Sequence, residues 1–201
     1  MNAAEQVFAD RGYARASFGE IARRAKVAQA LLNYYFVSKE RLFKEVYLRR
    51  AREIVKGRTE SLEALSRREE PIDLSALLSA FLDPAFAIRR KRGGKAFLRM
   101  QWRLLHSEPP QFGKSLHRAL YDDVARRYAA RIQELVPGLS GKAAFWRMVF
   151  IVGIFAYINS DTHRVEEVSG GLCNSNDVDE MLAQATAFIR GGMMAPDPER
   201  A

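Results

Sequence analysis

The run Ser17–Phe36, SFGEIARRAKVAQALLNYYF, constrains this chain more than any other stretch. Ser17 is a favourable N-cap, and Glu20, three residues on, is placed to reach back to the Ser17 amide as a capping box. Phe18, Ile21, Ala22 and Ala25 then share one helical face, the spacing that buries a small apolar stripe. A turn is expected near Lys26 and Val27, followed by a second helix from Ala28 to about Tyr34 that carries Leu32 inward. Two short helices joined by a tight turn make a helix-turn-helix, whose second helix can enter a DNA major groove. On that second helix Gln29, Ala30, Asn33 and Tyr34 face away from Leu32. Gln and Asn can bond adenine N6 and N7, and Ala can pack on a thymine methyl.

The rest of the chain reads as helix throughout, nine in all. A first helix covers about Ala3 to Arg11 and stops at Gly12, a residue suited to a position just past a helix end. Ser38 caps a long fourth helix reaching about Ser66, with Leu42, Phe43, Val46, Ile54, Leu62 and Leu65 inward. Leu74, Leu77, Leu78, Phe81 and Leu82 mark a fifth, kinked or broken at Pro84. The sixth (about Lys95–Ser107) ends before Pro109-Pro110, and the seventh runs from Phe112 to Leu135. The eighth, about Gly141 to Ser160, is apolar nearly all round, and a helix of that kind must be covered all round. After a Gly/Asn/Ser-rich loop at Val168–Ser175, Asn176 is expected to cap the ninth, which ends at Gly191-Gly192 before a disordered tail from Met193. No segment has a two-residue period, so the fold class is all-α.

Charge separates the two ends. The formal net charge is +8, and residues 1–56 hold 12 Lys+Arg against 6 Asp+Glu while residues 57–201 hold 20 against 18. The basic excess therefore sits on the segment with the helix-turn-helix, as phosphate binding requires. A second basic run, Arg89, Arg90, Lys91, Arg92 and Lys95, falls at a helix end and reads as a solvated face. The one cysteine, Cys173, excludes an internal disulfide, and MNAAEQVFADRG shows no signal peptide, so a reducing cytoplasm is expected. Ala143–Ile158 is the most apolar run, but its sixteen residues fall short of the roughly 20 that span a bilayer, so it reads as a buried helix and no membrane partner is expected. His106, His117 and His163 are scattered. Asp161, His163, Glu166 and Glu167 can be drawn as a metal cluster, although ordinary helix-end polarity explains them better. No phosphate-binding glycine loop, nucleophile elbow or zinc helix motif appears, so neither enzyme chemistry, a metal nor a cofactor is expected.

Residues 3–46 resemble the N-terminal domain of the TetR/AcrR family of bacterial transcriptional regulators. The resemblance rests on Ala4, Phe8, Gly12, Tyr13, Ser17, Ile21, Ala22, Ala25, Val27, Leu32, Tyr35, Phe36, Ser38, Lys39, Glu40 and Leu42, with the run Tyr34–Leu42 its most specific part. Three positions depart from the family pattern. Lys26 stands where Gly is usual, which costs roughly 1 kcal/mol if φ is positive there. Ala28 stands where Ser or Thr caps the second helix, and Asn33 where Tyr is usual. The resemblance implies groove-facing roles for Gln29, Ala30, Asn33 and Tyr34. It implies phosphate contacts for Tyr35 and Lys39, and a phosphate-contacting helix start at Ser17.

It further implies residues 1–46 as the DNA-binding domain and 47–201 as an effector-binding and dimerisation domain. Dimerisation through the last two helices would cover the eighth. Val149, Val152 and Ala156, with Met181, Ala185 and Phe188, are the interface candidates. Phe81, Phe86, Tyr128 and Phe145 suit core or pocket alike, and Phe97, Met100, Trp102, Tyr121, Phe150 and Tyr157 are taken as candidates for an apolar effector pocket. The expected protein is a homodimeric repressor of a palindromic operator, released by a small apolar or aromatic effector. A regulator without a small-molecule switch, a helical carrier or adaptor that never touches DNA, and an enzyme on the helical body remain the rivals.

Overall fold

Side-chain caps set five of the helix starts among the described residues. Ser17 Oγ accepts the Glu20 N–H (3.2 Å), Ser38 Oγ that of Arg41 (3.1 Å), and Asp73, Ser140 and Asp177 repeat the pattern. The computed structural model describes residues 1–106, 111–159 and 163–199, and it is all-α. In order the helices are α1 (Asn2–Arg15), α2 (Phe18–Ala25), α3 (Gln29–Phe36), α4 (Lys39–Ser66) and α5 (Leu74–Arg90). Then come α6 (Gly94–His106), α7 (Gln111–Leu135), α8 (Gly141–Ile158), α9 (Arg164–Val168) and α10 (Val178–Met194). Ser107, Pro109, Pro110, Ser160 and Asp161 lie outside the described residues.

One apolar cluster joins Ala4, Val7 and Phe8 of α1 to Ile21 of α2, Leu42, Phe43 and Val46 of α4, and Phe97, Met100 and Leu104 of α6. Residues on both sides of position 46 thus share a core. A second cluster holds Leu62 and Leu65 of α4, seven residues of α5, the far half of α7, and parts of α8 and α10.

Several expectations need correction. Gly12 (φ 74°, ψ 168°) interrupts α1, which resumes for one more turn to Arg15; that backbone region is open to little but glycine. Only half of the capping box forms, because the Glu20 carboxylate accepts from Arg11 Nε (3.2 Å). α5 runs through Pro84 unbroken. An interior proline costs about 3 kcal/mol, but Phe81, Leu82, Ala85 and Phe86 around it are all buried, and each large one contributes roughly 1.5–3 kcal/mol. Opposite Pro84 lies Gly57 of α4, where an added Cβ would sit 2.9 Å from the proline Cβ.

Asp177, not Asn176, caps α10, which continues through Gly191-Gly192 because Met193 is buried. The tail is docked. Arg147, the lone charge in the apolar run, donates to the Ala195 and Pro196 carbonyls, and the buried Asp197 accepts the Ser140 N–H at 2.9 Å. α9 is an additional short helix in the stretch before the loop. Arg89 is buried, donating to Asn159 Oδ1 (2.9 Å) and the Ser175 carbonyl (2.7 Å), so the basic run is not wholly solvated. Finally, α8 is not a buried helix: 22% of its 18 residues are buried, and it is long and apolar enough to pass as a membrane span by composition. Ala144, Met148 and Ile151 face the core, while Trp146, Phe150 and Tyr157 are exposed.

Candidate DNA-binding face and effector cavity

α3 is built to present its surface. Leu32 and Phe36 pack half-buried on the core, and no residue of the helix is fully buried. Gln29, Ala30, Asn33, Tyr34 and Tyr35 are all exposed. Tyr34 and Tyr35 are 79% and 61% exposed, meeting only edge to face with centroids 5.4 Å apart, so neither is a core residue. Ala28 supplies no side-chain cap. Lys26 is left-handed (φ 56°, ψ 45°), the strained turn that its place in the motif implied.

The other end of α3 carries strain that no sequence pattern revealed. Val37 sits at φ 53°, ψ −42°, with the Ser38 N–H turned back onto the Phe36 carbonyl, a tight three-residue turn. Positive φ is a real outlier for a β-branched residue. The α3–α4 turn is therefore fixed by its surroundings: Ser38 caps α4, and Lys39 Nζ donates to the Ala14 and Ala16 carbonyls, both at 3.1 Å.

Those two bonds, with the Tyr13 ring 4.7 Å away, give Lys39 an internal partner at the end of α1. Ser17 Oγ is likewise engaged by the Glu20 amide. Four other cations are exposed and make no ion pair among the described residues: Arg15 in α1, Arg23 in α2, Lys26 in the turn and Arg41 in the first turn of α4. Arg11 and Arg24 are neutralised by Glu20 and Asp10. The sequence counted these charges together; only the fold shows which are spent internally.

A cavity of about 290 Å³ opens between α4 and α8. Its apolar wall includes Ile54, Phe81, Leu98, Trp102, Met148, Val149, Val152, Phe155 and Ala156, and its polar corner is Arg58, Gln101, His117, Tyr121 and Asp122. Of the six pocket candidates, Trp102 and Tyr121 line it. Phe97 and Met100 are core residues, and Phe150 lies on the outer face of α8. Tyr157, Met181 and Ala185 border a separate hollow beside α9 and α10. Of the interface candidates, Val149, Val152 and Ala156 wall the cavity, Ala185 is buried, and Phe188 is 72% exposed on α10. A helical wheel distinguishes sides of α8 but not which side the bundle covers.

Burial governs the corner's protonation. It lowers the His117 pKa to about 4, with Asp122 opposing and Arg58 reinforcing, so the imidazole is neutral at neutral pH; its Nδ1 is 3.0 Å from Tyr47 Oη. Burial raises the Tyr121 hydroxyl to about 12 and lowers Arg58 to about 10, which leaves the guanidinium charged. The apolar pattern of α4 does not mark Arg58 as a cavity residue, although it falls on the Ile54–Leu62 stripe at four-residue spacing. Near α9, Glu166 accepts from the Ser175 hydroxyl and amide, which hold its carboxyl down at about 2.

Ten helices among the described residues, with an exposed second motif helix and a cavity in the body, make the fold of a helix-turn-helix protein. Residues 1–46 match the family profile described as bacterial regulatory proteins, tetR family, and residues 79–192 match that of the tetracyclin repressor-like C-terminal domain. The chain belongs to the TetR family of DNA-binding transcriptional regulators. It is 34% identical over 100 residues to the A-factor receptor protein of Streptomyces griseus, a match covering 50% of this chain and 32% of that receptor. The fold resembles a TetR-like transcriptional regulator from Rhodococcus sp. RHA1 (TM-score 0.58, 19% identity, 96% and 92% of the two chains). It also resembles the fatty acid degradation regulator FadR from Bacillus halodurans (TM-score 0.60, 16% identity, 95% and 96%).

Proposed function

We propose that this chain is a homodimeric, cytoplasmic repressor that binds a palindromic operator through α3 and lets go when a small, largely apolar effector enters the cavity. The observation that carries this is the state of α3: pinned by Leu32 and Phe36 while Gln29, Ala30, Asn33 and Tyr34 stand in solvent. Gln29 and Asn33 read bases, Ala30 and Tyr34 pack in the groove, and Tyr35 meets the backbone. Phosphate contacts fall mainly to Arg15, Arg23, Lys26 and Arg41, since Lys39 is tied to α1.

Residues 1–46 act as the reading head and 47–201 as the effector-binding and dimerisation body. The exposed face of α8 (Trp146, Phe150, Tyr157) with Phe188 of α10 is the surface a second copy covers. The name of the Streptomyces relative, a receptor protein, favours a ligand-responsive regulator over one without a switch. A mobility shift on DNA flanking its own gene is the test. A discrete shifted band that unlabelled flanking DNA removes, and unrelated DNA does not, is expected; equal competition by both would leave only non-specific basic binding.

A further inference from the structure

Arg58 is 7% exposed, lines the cavity and carries its charge at neutral pH. A guanidinium has five N–H donors. Among the described residues only Nε is used, donating to the Phe81 carbonyl at 2.8 Å. The group stacks on the Phe81 ring (3.7 Å) and lies 5.9 Å from that of Tyr121. No carboxylate pairs with it among the described residues. Asp122 lines the same cavity yet does not reach it. Beside it the Tyr121 hydroxyl is buried and, although close to Tyr47 and Gln101, hydrogen-bonds properly to neither.

Buried charges in folded proteins are normally paired, because an isolated one forfeits its hydration. A guanidinium fork left open toward a cavity matches a carboxylate, which it can hold by two parallel bonds. One cation with a neutral His117 suits a single negative charge rather than a phosphate dianion. The remaining wall is apolar, and 290 Å³ is at the small end of ligand pockets, which run from about 300 to 1,000 Å³. We propose that the cavity binds a small amphipathic monocarboxylate, with its carboxylate on the Arg58 fork, the Tyr121 hydroxyl as a further donor, and its hydrocarbon part against Leu98, Val149 and Val152. The inference rests on the effector reading above and supplies the chemical class of that effector.

Matched pairs test it on the wild-type protein at pH 7 by calorimetry. The linear acids from butanoate to decanoate, phenylacetate and 3-phenylpropanoate are each compared with the primary amide of the same skeleton. At least one acid is expected to bind about tenfold or more tightly than its amide, the margin of a charge-assisted hydrogen bond. Arg58→Gln should erase that preference while leaving amide affinity within a few-fold, and Tyr121→Phe should weaken the acid alone. No binding by any acid, or amides that bind as well, overturns the proposal, and the wild-type comparison decides even where Arg58→Gln does not fold. The operator shift is then repeated with the best acid. If the acid binds but leaves the shift unchanged, the carboxylate site stands and its role as effector falls. If no operator is bound at all, the DNA reading fails independently of the calorimetry.

Discussion

Removing Glu5 should loosen the joint between the DNA-binding end and the body. Its side chain is fully buried, and Oε2 accepts from Arg49 Nη2 at 2.8 Å and Arg50 Nε at 3.4 Å. Arg50, itself buried, also donates to the Arg92 carbonyl at 2.7 Å just before α6. One carboxylate of α1 thus fixes two cations of α4 and, through one of them, the α5–α6 turn. Breaking a buried pair from one side costs about 3–5 kcal/mol because the partner charge is stranded. Arg49 is 30% exposed and can turn to water, and Arg50 keeps the Arg92 carbonyl, so the low end applies. At about 2–4 °C per kcal/mol for a chain of this size, Glu5→Gln should lower Tm by roughly 6–12 °C.

The assay is thermal unfolding at fixed protein concentration, since dimer stability depends on concentration. A double-mutant cycle completes it: Glu5→Leu with Arg50→Met should recover much of the loss, because an apolar replacement removes the stranded charge. A fall under about 2 °C for Glu5→Gln, or strict additivity in the cycle, would refute the claim that this carboxylate holds the joint.

Phe188→Glu and Phe150→Glu should each give monomers in sedimentation, and a wild-type monomer at micromolar concentration would sink the interface assignment; Val152→Glu is a poorer probe because Val152 also walls the cavity. Gln29→Ala and Asn33→Ala should relax preference at particular base pairs by roughly 1–3 kcal/mol in competition assays. Arg41→Ala should weaken all DNA alike and flatten the salt slope by about one unit, an unchanged slope telling against its phosphate contact; Lys39→Ala should also lower Tm, through the loss of two carbonyl bonds. His117 titrates at about 4 in the fold against 6.5 unfolded, so between these values the unfolded chain binds more protons and stability falls as pH drops. His117→Gln should flatten that fall in Tm, and an identical pH profile would mean other groups cause it.

Local chemistry made much of this legible in advance. Ser17 and Ser38 cap as their spacing implied, Lys26 is left-handed in the place of a usual glycine, and the Leu42–Leu65 stripe of α4 is buried. What escaped depends on residues far apart in the chain. Arg50 and Arg58 look like solvated positions until Glu5, 45 residues earlier, and Phe81, 23 residues later, are folded against them. The tail looked disordered because its anchors, Ser140 and Arg147, belong to another helix. The cavity candidates divided for the same reason. Aromatic content marks what can be apolar, while the packing of α6 on α1 decides that Phe97 is core and Trp102 is wall.

The close approach of Gly57 to Pro84 would let α4 act as a lever. With no Cβ on Gly57 and only the Pro84 ring between the two backbones, α4 would rock about this point more easily than it would slide past that ring. Arg58, the next residue, is almost on the fulcrum, and Lys39 is at the far end of the long arm. Eighteen residues at about 1.5 Å each give an arm of ~27 Å, so a tilt of ~5° would swing the Lys39 end by ~2 Å. In a dimer the two arms would move together and change the spacing of the paired α3 helices by up to ~4 Å, against half-sites fixed about 34 Å apart. Spin labels at Arg41 of both protomers would report that displacement when the cavity is filled, and an unchanged distance would rule out the swing.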